Sequence, residues 1–491
     1  MANTTRFVDY EPITRRKRTP SLLSRDHAET LARAEPEPAK GAAQELLQRV
    51  TSTDKRRPHN RGRGLARGHT LTYCALLIFT IIVYFRPQEY LPELASVPIA
   101  LIAAIITLLA FIPSQLAMEG SLGARPREVN LLLLLCVAAL LSVPLAVSPG
   151  DALHTFWEPF IKAVIIFIVI VNVVRTERRL KGMFYVAFAV TCVLCFSALN
   201  DYRLGNLTVE GYRVSGSITG GMFDNANDLG LHLVTMFPLA LMLGFAARNF
   251  FGKMLYWAIA LLAIATLVIT FSRGAFIGLL AATVVMSLKL ARRRRGVVIV
   301  SLILGTVIFI AAAPGSYWIR LLSIFDPSLD AFGSSGPRSE LLKQSFLVAL
   351  RHPLLGIGIG NFSLVSAHSM VSHNSYTQVA AEMGMGALLL YTMFVTGPLN
   401  RLKKIEREAL TMARDSRFYY IAVGLQASLV GYMFSSFFVS VAYYWFIYYL
   451  VGYAVCFRRI YEAQTSETNG GASAQTLDSK RSDAPVLSNC G

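Results

Sequence analysis

Apolar stretches long enough to cross about 30 Å of hydrocarbon, which takes about 17 to 25 helical residues, recur along this sequence. They fall at 70–85, 97–117, 129–147, 160–174, 182–199, 229–247, 254–271, 275–290, 297–313, 376–397, 418–437 and 441–457. A chain in hydrocarbon must satisfy its backbone polar groups internally, so runs of this length become helices. The expectation is an all-α polytopic integral membrane protein with about 12 transmembrane helices. Composition agrees: 54% of residues are hydrophobic, only 16% are charged, and the mean hydropathy is +0.48.

Lysine and arginine crowd alternate connections: Arg125 and Arg127, Arg175 to Lys181, Arg248 and Lys253, Lys289 with Arg292 to Arg295, and Arg401 to Arg417. By the positive-inside rule these connections and both termini face the cytoplasm, and the 314–375 segment lies outside. The formal net charge of +17 is thereby accounted for by topology, and no nucleic-acid partner is expected. The first apolar run starts only near residue 70, so no cleaved leader is expected. Residues 1–68, rich in Arg, Pro, Glu and Ser, read as a disordered basic cytoplasmic tail. Its Lys55 to Arg67 end suits a topogenic anchor or contact with anionic membrane lipids. The membrane domain is placed at 69–458, and the polar stretch 459–491 reads as a second disordered cytoplasmic tail. Of six cysteines, five lie in or beside apolar runs. The Cys192/Cys195 pair has no further Cys or His nearby, so neither metal nor redox chemistry is expected of it.

On the outer side, the connections at 86–92 (Arg86-Pro87-Gln88-Glu89) and 148–159, with its Trp157, read as interfacial links. The 314–375 loop is long enough to be functional. Its Leu341 to Leu350 stretch has helical apolar spacing and is followed by Gly356, Gly358 and Gly360, so it is expected to fold. That glycine run does not make a dinucleotide fingerprint; it lets backbone approach a ligand or turn sharply.

Ionisable residues at the membrane boundary are the candidates for chemistry. Arg273, in Thr-Phe-Ser-Arg-Gly, suits an interfacial anchor or a two-point phosphate ligand. Arg338 follows Gly336-Pro337, which marks a helix start, and suits a surface salt bridge or a second phosphate clamp. Arg351 suits a helix C-terminus or a substrate contact. Arg213, in the connection at about 200–228, is a further substrate-binding candidate. His373, beside Asn374 and just ahead of a span, suits a general base, with His352 and His368 as competitors. No HxxxH, HExxH or dense carboxylate cluster occurs, so no metal site is expected.

The stretches TFSRGAFIGLL (270–280), GPRSELLKQSFLVALRHPLLGIGIGNF (336–362) and SHNSYTQVAAEMGMGALLLYTMF (372–394) resemble the O-antigen ligase family, over about residues 210 to 450. The resemblance implies a multi-pass protein of a bacterial inner (cytoplasmic) membrane, with 314–375 as a periplasmic loop. It further implies an inverting glycosyltransferase of lipopolysaccharide or polysaccharide biosynthesis. That enzyme would move a glycan from an undecaprenyl-pyrophosphate-linked donor to the hydroxyl of a lipid or glycan acceptor. It would need no cofactor and no metal. Arg273 and Arg338 would bind the pyrophosphate, His373 would be the catalytic base, and Asn374 would contact substrate. A glycan polymerase of the same superfamily is the nearest alternative. A polysaccharide or lipid transporter is the alternative from another class, although no convincing internal repeat is present.

Overall fold

Helix α6 (Ala226–Ala246) is the innermost span, with 83% of its apolar window buried, and α11 (Ser416–Ser435) packs along it. Around this pair the computed structural model places α1 (Thr70–Phe85), α2 (Ile99–Glu119), α3 (Arg127–Ser142), α4 (Pro149–Val173), α5 (Glu177–Leu204) and α7 (Phe250–Ile269). The set is completed by α8 (Arg273–Ala312), α9 (Ser335–Arg351), α10 (Ser375–Thr411) and α12 (Trp445–Ser482). The described residues are 69–85, 99–119, 125–208, 213–216, 225–312, 335–411 and 416–482, with a few isolated positions between them. The tail at 1–68, the 86–92 link and most of 313–334 lie outside them, so the expectations for those stretches have no structural counterpart here.

The protein is an all-α polytopic membrane protein, with no strand among the described residues. Nine of the described helices are long and apolar enough to cross a membrane, against the twelve spans expected. Of the three expected spans not counted among them, the first is α1, which has 16 residues. The second is the far part of α8, and the third is the start of α12, which continues through Ser482 into the stretch read as a tail.

One expectation needs correction. The 148–159 stretch is helix rather than a link: Ser148 caps it, Pro149–Thr155 is α-helical, and Phe156–Phe160 forms a π turn leading into Ile161–Val173. Pro159 has no N–H to donate, which suits the widened turn. Arg292 to Arg295, read as the connection between the spans at 275–290 and 297–313, fall where α8 is broken. They continue α8 across a break at Arg294 (φ −145°, ψ 57°). That end is pinned by the buried Glu406 carboxylate, which binds Lys289, Arg292 (3.2 Å) and Gln426 (3.1 Å). Arg293 there lies 4.4 Å over the ring of Tyr419.

Candidate active site

Helix α9 buries Leu341, Ser345 and Ala349 against α10, a spacing of four that defines one helical face. Arg338 stands three residues before Leu341 and so shares that face. Ser345 ties the two helices together by donating to Thr377 Oγ1 at 2.9 Å. His373 lies just ahead of the first turn of α10. Burial first, and the Arg338 guanidinium second, push its imidazole down to about 4, so it is neutral around pH 7. The positive end of the α10 dipole acts in the same direction.

The backbone fixes His373 tightly. Its φ of +53° lies in the left-handed region, which costs a non-glycine residue about 1–2 kcal/mol and persists only where surroundings impose it. Here Asn374 imposes it: its side-chain oxygen accepts the N–H of Tyr376 at 2.9 Å and of Thr377 at 3.1 Å and caps α10. Ser372 donates to the Asn374 carbonyl at 2.9 Å. Asn374, read from sequence as a substrate contact, is placed as the cap that holds its neighbour.

Arg273 begins α8 two residues after a second left-handed residue, Phe271, with φ +50°. That turn is held by Arg213, only 4% exposed, whose Nε donates to the Thr270 carbonyl at 2.9 Å and Nη2 to Asn227 Oδ1 at 2.8 Å. Ser272 donates to the same Asn227 oxygen at 2.8 Å. Arg213 is thus a strut behind Arg273 in this structure.

The end of α11 joins the two halves. Ser435 donates to the Gly274 carbonyl at 3.2 Å, next to Arg273. A few residues on, Ser375 donates to the Val439 carbonyl at 2.7 Å and accepts the N–H of Val441, while Ser372 and Ser440 hydroxyls lie 3.1 Å apart. Arg273, Arg338 and His373 therefore reach one end of the bundle from three separate elements.

The glycine run forms a plug for a broken helix. Gly356, Gly358, Gly360 and the helix residue Gly384 all have positive φ. A Cβ on Gly356 would collide with the Glu382 backbone, and one on Gly384 with the Leu354 carbonyl. The N–H groups of Ile357 and Gly358 donate to the carbonyls of Ala381 and Glu382 at 3.0 and 2.9 Å. The close approach foreseen from the glycines is thus made to α10 itself. The Glu382 carboxylate, buried at the break, accepts from Gly360 N–H at 2.9 Å, from Phe362 N–H at 3.4 Å and from the Tyr443 hydroxyl at 2.6 Å.

Arg351 is not gathered with the others. It is exposed at the far end of α9, about 20 Å from Arg338 at 1.5 Å per residue. His352 beside it is also exposed, and the His368 side chain lies outside the described residues. Asn227 and Tyr443 were not singled out from sequence. The signal available was an Asn and a Tyr beside motif residues, which carries no partner information. An apolar cavity of ≈ 600 Å³ opens between α1, α2, α4 and the start of α12, lined by Phe79, Leu108, Ile166 and Trp445, with the 2.6 Å Glu158–Lys162 ion pair beside it. Among the described residues, no group of three His, Cys, Asp or Glu is arranged to hold a metal ion.

Residues 258–392 match the family model described as O-Antigen ligase. The match runs from α7 into α10 and includes Arg273, Arg338, His373 and Glu382, but stops short of the 210–450 extent read from the motifs. A comparison with curated proteins finds no match.

Proposed function

With an O-antigen ligase domain over residues 258–392 as the premise, we propose that this membrane protein transfers a glycan from a lipid-linked pyrophosphate donor to an acceptor hydroxyl. The observation that carries the reading is the pairing of a neutral His373 with Arg338 across the α9–α10 contact. His373 takes the proton of the acceptor hydroxyl as its oxygen attacks the anomeric carbon. The bond from that carbon to the pyrophosphate oxygen breaks, with inversion, and the departing electron pair stays on the pyrophosphate. Arg273 and Arg338 offset the charge that grows there, supplying what a divalent cation supplies elsewhere.

The same pairing explains how a weakly basic imidazole can serve. Arg338 depresses His373 while the site is empty of anions. A pyrophosphate bound to Arg338 offsets that charge, so donor binding raises the basicity of His373 when it is needed. The apolar cavity beside Trp445 suits the lipid portion of the donor. We further propose that the carrier is undecaprenyl, that both termini are cytoplasmic and that the reaction is periplasmic in an inner membrane. These follow from the charge bias of the connections and the family resemblance.

The test is transfer by protein reconstituted in nanodiscs, in EDTA, from undecaprenyl-pyrophosphate-linked glycan with and without a lipid A–core acceptor. Acceptor-dependent product that disappears in His373→Ala is expected. Longer carrier-linked glycan made without acceptor would mean a polymerase, and no covalent product from either mixture would overturn transfer.

A further inference from the structure

We propose that α9 lies along the membrane surface with one side immersed among the acyl chains of the adjacent leaflet. The helix has a second apolar side that the fold leaves uncovered. Beside the Leu341, Ser345 and Ala349 face runs a stripe of Leu342, Phe346 and Leu350, spaced by four and 43%, 57% and 57% exposed. Leu354, just past the helix, is 84% exposed. Leu347, 48% exposed, widens the apolar side, and Glu340, Gln344 and Arg351 fall together beyond it by the 100° step of a helix. An amphipathic helix with this division lies in an interface rather than across it.

The occupant of the stripe is identified by what adjoins it. The Pro353 carbonyl accepts the N–H of Met385 at 2.8 Å, so Leu354 sits beside Met385 at the break in α10. Met385 and, one turn further, Leu389 are exposed on α10, which is one of the helices able to cross the membrane. The stripe on α9 is therefore continuous with the side that a membrane span presents to lipid. A partner protein would have to cover both, and water would leave five large apolar side chains unburied. Lys343, whose Cβ direction falls within the apolar side, has a stem long enough to reach the headgroups. The consequence for the proposed reaction is that Arg338 is held at headgroup level, where lipid-linked phosphates travel. That consequence rests on the proposed function, whereas the placement of α9 does not.

Tryptophan scanning in lipid vesicles tests the placement without any activity readout. Phe346→Trp and Leu350→Trp on the stripe, and Glu340→Trp on the polar side, are reconstituted in phosphatidylcholine with or without bromine near the top of the acyl chains. The parent protein's emission is subtracted, and each variant is first shown to elute as a single species. The added emission at 346 and 350 is expected to lie to the blue and to be quenched several-fold more than that at 340. Two independent stripe positions guard against one variant failing to fold. Equal quenching at all three positions, or red-shifted unquenched emission on the stripe, would overturn the proposal. Blue, unquenched emission would also overturn it, because the stripe would then be covered by protein.

Discussion

The hydroxyl of Tyr443 donates to the Glu382 carboxylate at 2.6 Å, linking the segment that leads into α12 to the break in α10. The same carboxylate takes two backbone N–H groups of the glycine turn, so one side chain satisfies three donors from two parts of the chain remote from α10. Leaving a buried donor without its acceptor costs about 1–3 kcal/mol. Glu382→Ala is therefore expected to lower stability by about 2–4 kcal/mol, read as a fall in the thermal midpoint in detergent. Tyr443→Phe removes a single donor from a well-satisfied acceptor and is expected to lower it much less. Equal losses in the two variants would show that the carboxylate does not act as a hub.

The paired glycines make a reciprocal joint, since Gly356 faces the Glu382 backbone and Gly384 faces the Leu354 carbonyl. Alanine at either position meets backbone on one side and an unfavourable positive φ, 67° and 86° respectively, on the other. Each substitution is expected to cost more than about 2 kcal/mol. The double variant should cost less than the sum, because the first change already opens the joint. Gly386→Ala, in open space two residues on, is the control and is expected to be neutral or stabilising by up to about 1 kcal/mol. Melting midpoints of the four proteins check this directly.

Spans and site candidates differ in how far they could be read from sequence, and the reason is physical. An apolar run of span length has one solution in hydrocarbon, so α3, α5, α6, α7 and α11 were legible from composition and length alone. The connection placed between 290 and 297 coincides with the break at Arg294 in α8, but the break at Gly384 in α10 has no proline to announce it, and the π turn at Phe156–Phe160 hid a helix within what read as a link. Residue type identified Arg273, Arg338 and His373 as worth attention, because charge near a membrane boundary is costly. Type could not separate Arg213 and Asn374 from them. That distinction depends on partners far away in sequence, such as Thr270 for Arg213, or on a cap that becomes visible only when the helix start is fixed.

Arg213 gives a direct way to separate a strut from a ligand. Its two buried hydrogen bonds to Thr270 and Asn227 fix the turn that carries Arg273. Hydrogen bonds to charged groups contribute about 1.5–3 kcal/mol each, so Arg213→Ala is expected to destabilise the donor-free protein by about 3 kcal/mol. Arg273→Ala, at the partly exposed start of α8, is expected to lower the melting midpoint less than Arg213→Ala does while abolishing the proposed transfer. If Arg213→Ala melted like the parent and only weakened donor binding, Arg213 would be a ligand after all.

The His373–Arg338 pair makes the pH profile the most informative measurement. The folded imidazole titrates near 4, below the ordinary 6.5 that the unfolded chain shows. Between those values the unfolded chain binds a proton that the folded protein refuses. The contribution of His373 to stability is therefore fully present above pH 6.5 and is lost as pH falls towards 4. In the proposed reaction the neutral form is the active one, so kcat/KM, which reports the free enzyme, should hold on the acid side until near pH 4. The limb in kcat should lie higher, because bound pyrophosphate offsets Arg338 in the donor complex. Arg338→Gln removes the charge that helps hold the imidazole down, so the kcat/KM limb of its residual activity should move up towards 6.5, while burial keeps it from reaching that value. An acid limb unchanged in Arg338→Gln, or identical in kcat and kcat/KM, would show that the guanidinium does not control the base.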